Sequence, residues 1–156
     1  MTAQQHIKAA PIRKRLEVNA PQAKAFEAFT SRMHDWWPRG HSIVRDGERV
    51  DIVIEPREGG RWYERSSTGA EINWGRVAVF DRPNRVLLVW QLTGEFNFDA
   101  DFETHVEVRF TPDGESRTVV EFEHHDLDRY ADPKIPAMMD EGWGEILRAF
   151  AAAAQV

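Results

Sequence analysis

Apolar and polar residues follow two different periods along this chain. From Ile12 to Val18, IRKRLEV alternates apolar and charged positions, the period of a strand with one wet face. Pro21 suits the first turn of a helix, and Phe26 and Phe29 then lie three apart on one helical face. A second short helix is predicted from Thr30 to Trp36, stopped by Pro38 and Gly40. Six further segments read as strands: RVDIVIE, GGRWYERS, EINWGRVAVFD, RVLLVWQL, THVEVRF and RTVVEFEHH. RVLLVWQL is apolar on both faces, which suits a strand covered from both sides. TPDGES, between the last two, carries a hairpin turn signal. FNFDADF fits neither period and reads as a loop or strand edge. Over Ala137 to Ala154 the period becomes helical. Met139, Trp143, Ile146, Leu147, Phe150 and Ala154 form one apolar stripe, opposite Asp140, Glu141, Glu145 and Arg148. A helix of about 18 residues is about 27 Å long, enough to lie across a sheet. The order predicts an α+β fold: an antiparallel sheet of about 6–7 strands, two short helices after the first strand, and one long C-terminal helix.

Composition narrows the setting. The 156 residues suit one domain, read here as residues 11–156 behind a frayed N-terminus over 1–10. The net charge of −6 argues against phosphate-backbone binding, so no nucleic acid partner is expected. Arg13, Lys14 and Arg15 read as part of a wet strand face. The absence of cysteine excludes disulfides, thiol catalysis and cysteine-ligated metals. The start of the chain lacks the apolar stretch of a signal peptide. The most apolar strand run, VLLVW, is far too short to span a bilayer. A cytoplasmic protein with no membrane partner is the expectation.

The motifs WWPRGHSI, IEPREGGRWYER…G…WGRV, DRPNRVLLVWQ, TVVEFEHHDL and GWGEILRAF occur in that order. Over residues 11 to 152 they resemble the bacterial relatives of the C-terminal domain of the Hsp90 ATPase activator. That family lies within the SRPBCC superfamily of START and Bet v 1-like proteins. The resemblance implies a helix-grip fold, in which a curved antiparallel sheet wraps the C-terminal helix. It implies function only loosely, because such domains host lipid binding, polyketide cyclisation and co-chaperone work.

Strand alternation sorts side chains by face. Val120, Phe122 and His124 are expected inward, as are Val106, Val108 and Phe110. Val86, Leu88, Trp90 and Leu92 share one face of their strand. Trp62 and Glu64 share another. Ile72, Trp74 and Ala78 are expected on a face that also contains Arg76. The aromatic residues either fill a core or line a cavity that a strongly curved sheet leaves over one helix. The cavity reading makes Trp62, Trp74, Trp90, Phe122, Met139 and Trp143 ligand-binding, with Met138 nearby. It makes Trp36, Trp37 and His41 the cavity mouth. Glu64 and His124 are polar residues on apolar faces. They could orient a ligand's polar end or act as acid and base. Otherwise Glu64 sits in water at a strand end and His124 bonds to backbone.

The spacing of His34, Asp35, His41 and His125 fits no common zinc pattern, so no metal is predicted. Gly59-Gly60 lacks the lysine and serine of a phosphate loop, so no cofactor is predicted either. No nucleophile can be paired with a base, and no catalytic residue is assigned. The leading reading is a non-catalytic protein that binds a small hydrophobic, apolar or aromatic ligand between sheet and helix. The alternatives are a cavity-based acid–base enzyme, cyclase- or hydrolase-like, and a co-chaperone-like module that contacts a chaperone. A homodimer is compatible with all three.

Overall fold

Seven strands form one antiparallel sheet in a computed structural model that describes residues 10–155. They are β1 (Ile12–Val18), β2 (Arg49–Ile54), β3 (Arg61–Ser66), β4 (Glu71–Asp81), β5 (Arg85–Trp90), β6 (Thr104–Pro112) and β7 (Thr118–His125). β2 to β7 run as a meander, and β1 pairs with β7, so β1 and β2 are the two edges. Between them α1 (Gln22–Ser31) and α2 (Met33–Trp36) carry the chain from one edge to the other. The long helix α3 (Lys134–Ala154) packs against β1, α1 and α2. The expected α+β architecture is observed. The expected frayed terminus falls almost wholly on residues 1–9, outside the described residues.

The stripe predicted for α3 is its buried face. The helix starts three residues before Ala137. Pro136 lies in its first turn, where a missing N–H breaks no helical bond. α2 is a single turn from Met33, not a helix from Thr30. Thr30 belongs to α1, where its Oγ1 donates to the Phe26 carbonyl at 2.8 Å. No helix among the described residues is long and apolar enough to cross a membrane.

β4 departs from simple alternation. Its register to β3 shifts between Trp62 and Tyr63, and its register to β5 shifts between Val77 and Val79. Trp74 therefore faces the core, but so does Val77, while Arg76 is exposed. The expectation of Arg76 on the face of Trp74 is corrected by the bulge against β3, since one extra residue inverts the parity that follows it up to the second shift after Val77. Gly75 sits in the bulge. A Cβ there would lie 1.7 Å from the Val89 carbonyl oxygen, so only glycine lets β4 approach β5 this closely.

Phenylalanines close one end of the core. Phe29 meets Phe150 edge-on at 5.4 Å, and Phe26 meets Phe110 at 5.2 Å. Trp36 packs beside Phe150 at 5.3 Å. α1 thus fills the space between the sheet and the C-terminal half of α3.

Candidate functional site

All six tryptophans of the chain join one contact network, although five separate elements and a loop supply them. Trp37, just after α2, lies 4.8 Å from Trp74 of β4 and 5.6 Å from Trp143 of α3, centroid to centroid. Trp62 of β3 lies 5.3 Å from Trp74 and 5.5 Å from Trp90 of β5. Trp90 lies 5.5 Å from Trp143, and Trp36 joins through Trp37 at 6.0 Å. The rings meet tilted or edge-on, the arrangement aromatic quadrupoles favour.

On the inner side of this network is a cavity of about 240 Å³. Trp37, Trp74, Trp90 and Trp143 form its aromatic wall, and Met139 and Ile146 supply the helix side. The loops after α2 and β5 contribute Ile43, Leu92 and Phe96. Gly40, His41, Ser42, Met138 and Gly142 complete the lining. The lining is mostly apolar. Its titratable side chain is that of His41, whose Nε2 lies 3.3 Å from Glu145 Oε2.

The expected ligand-binding residues divide into two layers. Trp74, Trp90, Met139 and Trp143 line the cavity, as do Trp37 and His41 of the expected mouth. Trp62, Phe122, Glu64 and His124 are fully buried behind the wall, and Trp36 belongs to the phenylalanine end. Strand parity carried those residues to the correct side of the sheet. It could not tell the first layer of side chains from groups already covered by others.

His124 has a complete set of partners. Trp143 Nε1–H donates to its Nδ1 at 3.0 Å, so the remaining proton is on Nε2, which meets Thr104 Oγ1 at 2.8 Å. Thr104 Oγ1 donates onward to the Trp90 carbonyl at 3.1 Å. Beside this chain, Trp90 Nε1–H donates to Tyr130 Oη at 3.0 Å, and Tyr130 donates to the Leu92 carbonyl at 2.7 Å. Burial pushes the His124 pKa down to about 3, helped by the nearby His125 and His105. Burial likewise raises Tyr130 to about 12. His124 is thus a neutral brace that fixes Trp143 and Trp90. The indole N–H groups of Trp62 and Trp74 are buried without an acceptor, which leaves the β3–β4 side of the network less satisfied.

Glu64 braces the mouth from outside the cavity. Its carboxylate accepts the Ile43 N–H at 2.6 Å and the Ser42 hydroxyl at 2.9 Å. Arg49 of β2 clamps the start of the same loop, donating to the carbonyls of Trp37 at 2.8 Å and Pro38 at 3.3 Å. Burial lowers the Arg49 pKa, against the field of Glu64. Two buried charges on adjacent strands thus hold the segment that carries Trp37, His41, Ser42 and Ile43. Charge assistance makes such hydrogen bonds the stronger kind.

Sequence reasoning missed Ser42, Ile43, Phe96 and Gly142 in the lining. Only Gly142 carried a signal: a glycine inside a helix costs about 0.5–1 kcal/mol relative to alanine. A Cβ at 142 would meet only His41 Cε1, at an ordinary 3.7 Å. Packing therefore does not demand glycine here. On the opposite face of the sheet, Glu107, Glu123 and His125 bring ligand-type atoms within 4.8 Å of one another. Arg85 and Arg109 already engage Glu107, and Arg13 engages Glu123 at 2.6 Å, so arginines neutralise these carboxylates.

Comparison with known proteins places this geometry among relatives. The profile described as Activator of Hsp90 ATPase homolog 1-like protein matches residues 19–155. No curated protein gives a significant match. Among solved structures, the chain is similar to the anthrahydroquino-gamma-pyrone synthase Txn09. The two are 35% identical over 93% of this chain and 97% of that one, with a TM-score of 0.66. The self-sacrificing resistance protein CalC from Micromonospora echinospora is 28% identical over 92% of this chain and 93% of its own, with a TM-score of 0.67. The Aha1 dimer from Colwellia psychrerythraea is 17% identical over 95% and 98%, with a TM-score of 0.66, a likeness of fold.

Proposed function

The chain belongs to the Activator of Hsp90 ATPase homolog 1-like family, and from that premise we propose that it binds a small, largely apolar aromatic molecule between its sheet and α3. The observation that carries this reading is the cavity of about 240 Å³ bounded by four tryptophans. Pockets that bury small molecules are lined in this way, by aromatic and aliphatic groups with a few polar ones, and run from about 300 Å³ upward. The present volume of about 240 Å³ lies just below that range and suits a small occupant of roughly two or three fused rings. Flat ligand faces would stack on or meet the edges of the indoles.

In this reading Trp37, Trp74, Trp90, Met139 and Trp143 contact the ligand. Glu64 and His124 act at one remove, by holding the mouth loop and the wall. That is a change from direct contact with a polar head, and it follows from their hydrogen bonds. The likeness to a synthase of a fused aromatic pyrone supports an aromatic occupant. It also favours a second reading, in which the bound molecule is converted. The His41–Glu145 pair at the mouth would then supply proton transfer. Native mass spectrometry of the purified protein tests the first reading. A co-purified mass, or a rise in Tm with fused-ring aromatics, supports it. The reading is rejected if neither fused-ring aromatics nor a broader panel of flavonoids and sterols shifts Tm or tryptophan emission.

A further inference from the structure

Resting on the cavity-binding reading, we infer that His41, oriented by Glu145, is a hydrogen-bond acceptor for a hydroxyl group on the outer end of the bound aromatic molecule. The ligand class is therefore a phenol or enol of a fused-ring system, not a bare hydrocarbon or an ether.

The polar inventory of the mouth leads to this. Among the described residues, His41 and Ser42 are the lining residues whose side chains carry a nitrogen or oxygen acceptor, the indole N–H groups being donors only. Ser42 spends its hydroxyl proton on Glu64 at 2.9 Å. The backbone of His41 is fixed on both sides: its N–H donates to the Pro38 carbonyl at 3.0 Å, and its own carbonyl accepts Trp37 Nε1–H at 2.8 Å. The ring is fixed by Glu145, one helical turn along α3 from Gly142, with Nε2 to Oε2 at 3.3 Å. A carboxylate only accepts, so a neutral imidazole here carries its proton on Nε2 and keeps a lone pair on Nδ1. Among the described residues nothing donates to that Nδ1. An imidazole with one nitrogen held by a carboxylate and the other free is the arrangement by which proteins present a directed acceptor or base. Gly142 adjoins the same ring: a Cβ at position 142 would lie 3.7 Å from His41 Cε1, so the helix backbone comes close to the imidazole without crowding it. An aromatic molecule in the indole wall would reach this acceptor with its outer edge. A hydroxyl there donates to Nδ1, and a methoxy group cannot.

Isothermal titration of the full chain with naphthalene, 2-naphthol and 2-methoxynaphthalene tests this directly. The wild type should bind 2-naphthol about three- to tenfold more tightly than 2-methoxynaphthalene, the span of one net hydrogen bond. His41→Phe keeps a ring at the mouth but removes the acceptor. It should abolish that preference, read as the ratio of 2-naphthol to 2-methoxynaphthalene affinity within the variant itself. Glu145→Ala should reduce the preference by freeing the imidazole. Equal affinities for the hydroxyl and methoxy probes in the wild type, or a preference that survives His41→Phe, would overturn the role of His41 and leave the cavity reading standing. If none of the three probes binds, the role of His41 is rejected, and the cavity reading falls with it only if the flavonoids and sterols also leave Tm and tryptophan emission unchanged.

Discussion

The two ends of α3 meet the sheet in opposite ways. At the C-terminal end α1 inserts Phe26 and Phe29, which meet Phe110 and Phe150 edge-on and fill the space. At the N-terminal end no helix among the described residues inserts. The wall there is made of indoles on β4, β5 and α3, and the loop carrying His41 lies across the gap. Both ends are aromatic, so apolar character alone does not distinguish core from cavity. The difference is in what holds the rings. The phenylalanines are held by one another. Trp90 and Trp143 are also tied by hydrogen bonds, directly or through His124, Thr104 and Tyr130. Rings fastened from behind do not need filling from the front, so a space can persist before them.

That contrast can be broken first by truncation. Phe29→Ala at the closed end should cost about 3–5 kcal/mol. Met139→Ala, which already borders open space, should cost near the low end of the roughly 2–5 kcal/mol range for such changes. Urea denaturation of both variants checks the order, and equal costs would mean that the two ends are packed alike. A pH series probes the brace. The folded pKa of His124 lies below its ordinary value, so protons bind the unfolded chain preferentially. The stability from neutral His124 is present above pH about 6.5 and is lost as pH falls toward about 3, at up to about 1.4 kcal/mol per unit. NMR should find its imidazole neutral, protonated at Nε2 and not titrating from pH 8 to 5. A midpoint near 6.5 would show that the brace is not sealed. Glu64→Gln should cost about 1–2 kcal/mol by weakening the charged acceptor of Ser42 and Ile43. Hydrogen exchange should quicken at the Ile43 amide, and unchanged exchange there would remove Glu64 from the mouth.

Much of this was written in local pattern. The stripe of α3, the alternation of β6 and β7, and the motif order were enough to set the fold, because periodicity reports which face of an element is buried. Periodicity says nothing of depth. Glu64 and Trp62 share a parity with cavity residues, yet both lie behind the wall. The bulge at Gly75 was illegible because it depends on the register between β3 and β4, which no local period reports. His41 was legible as a mouth residue, but Glu145 read only as a solvated charge, since their pairing joins positions 104 apart in the chain. Ile43 and Phe96 sit in loops, where no period exists to mark them.

The central claim is that the gap beneath the indoles is a binding site, and Gly142 offers the most direct test. Gly142→Phe places a ring into the cavity from a helix that gains propensity by losing a glycine. Calorimetric titration of wild type and variant with 2-naphthol, alongside their Tm values, is the measurement. The account predicts one site in the wild type, none in Gly142→Phe, and a variant Tm at or above that of the wild type. Undiminished binding in a folded Gly142→Phe would contradict it.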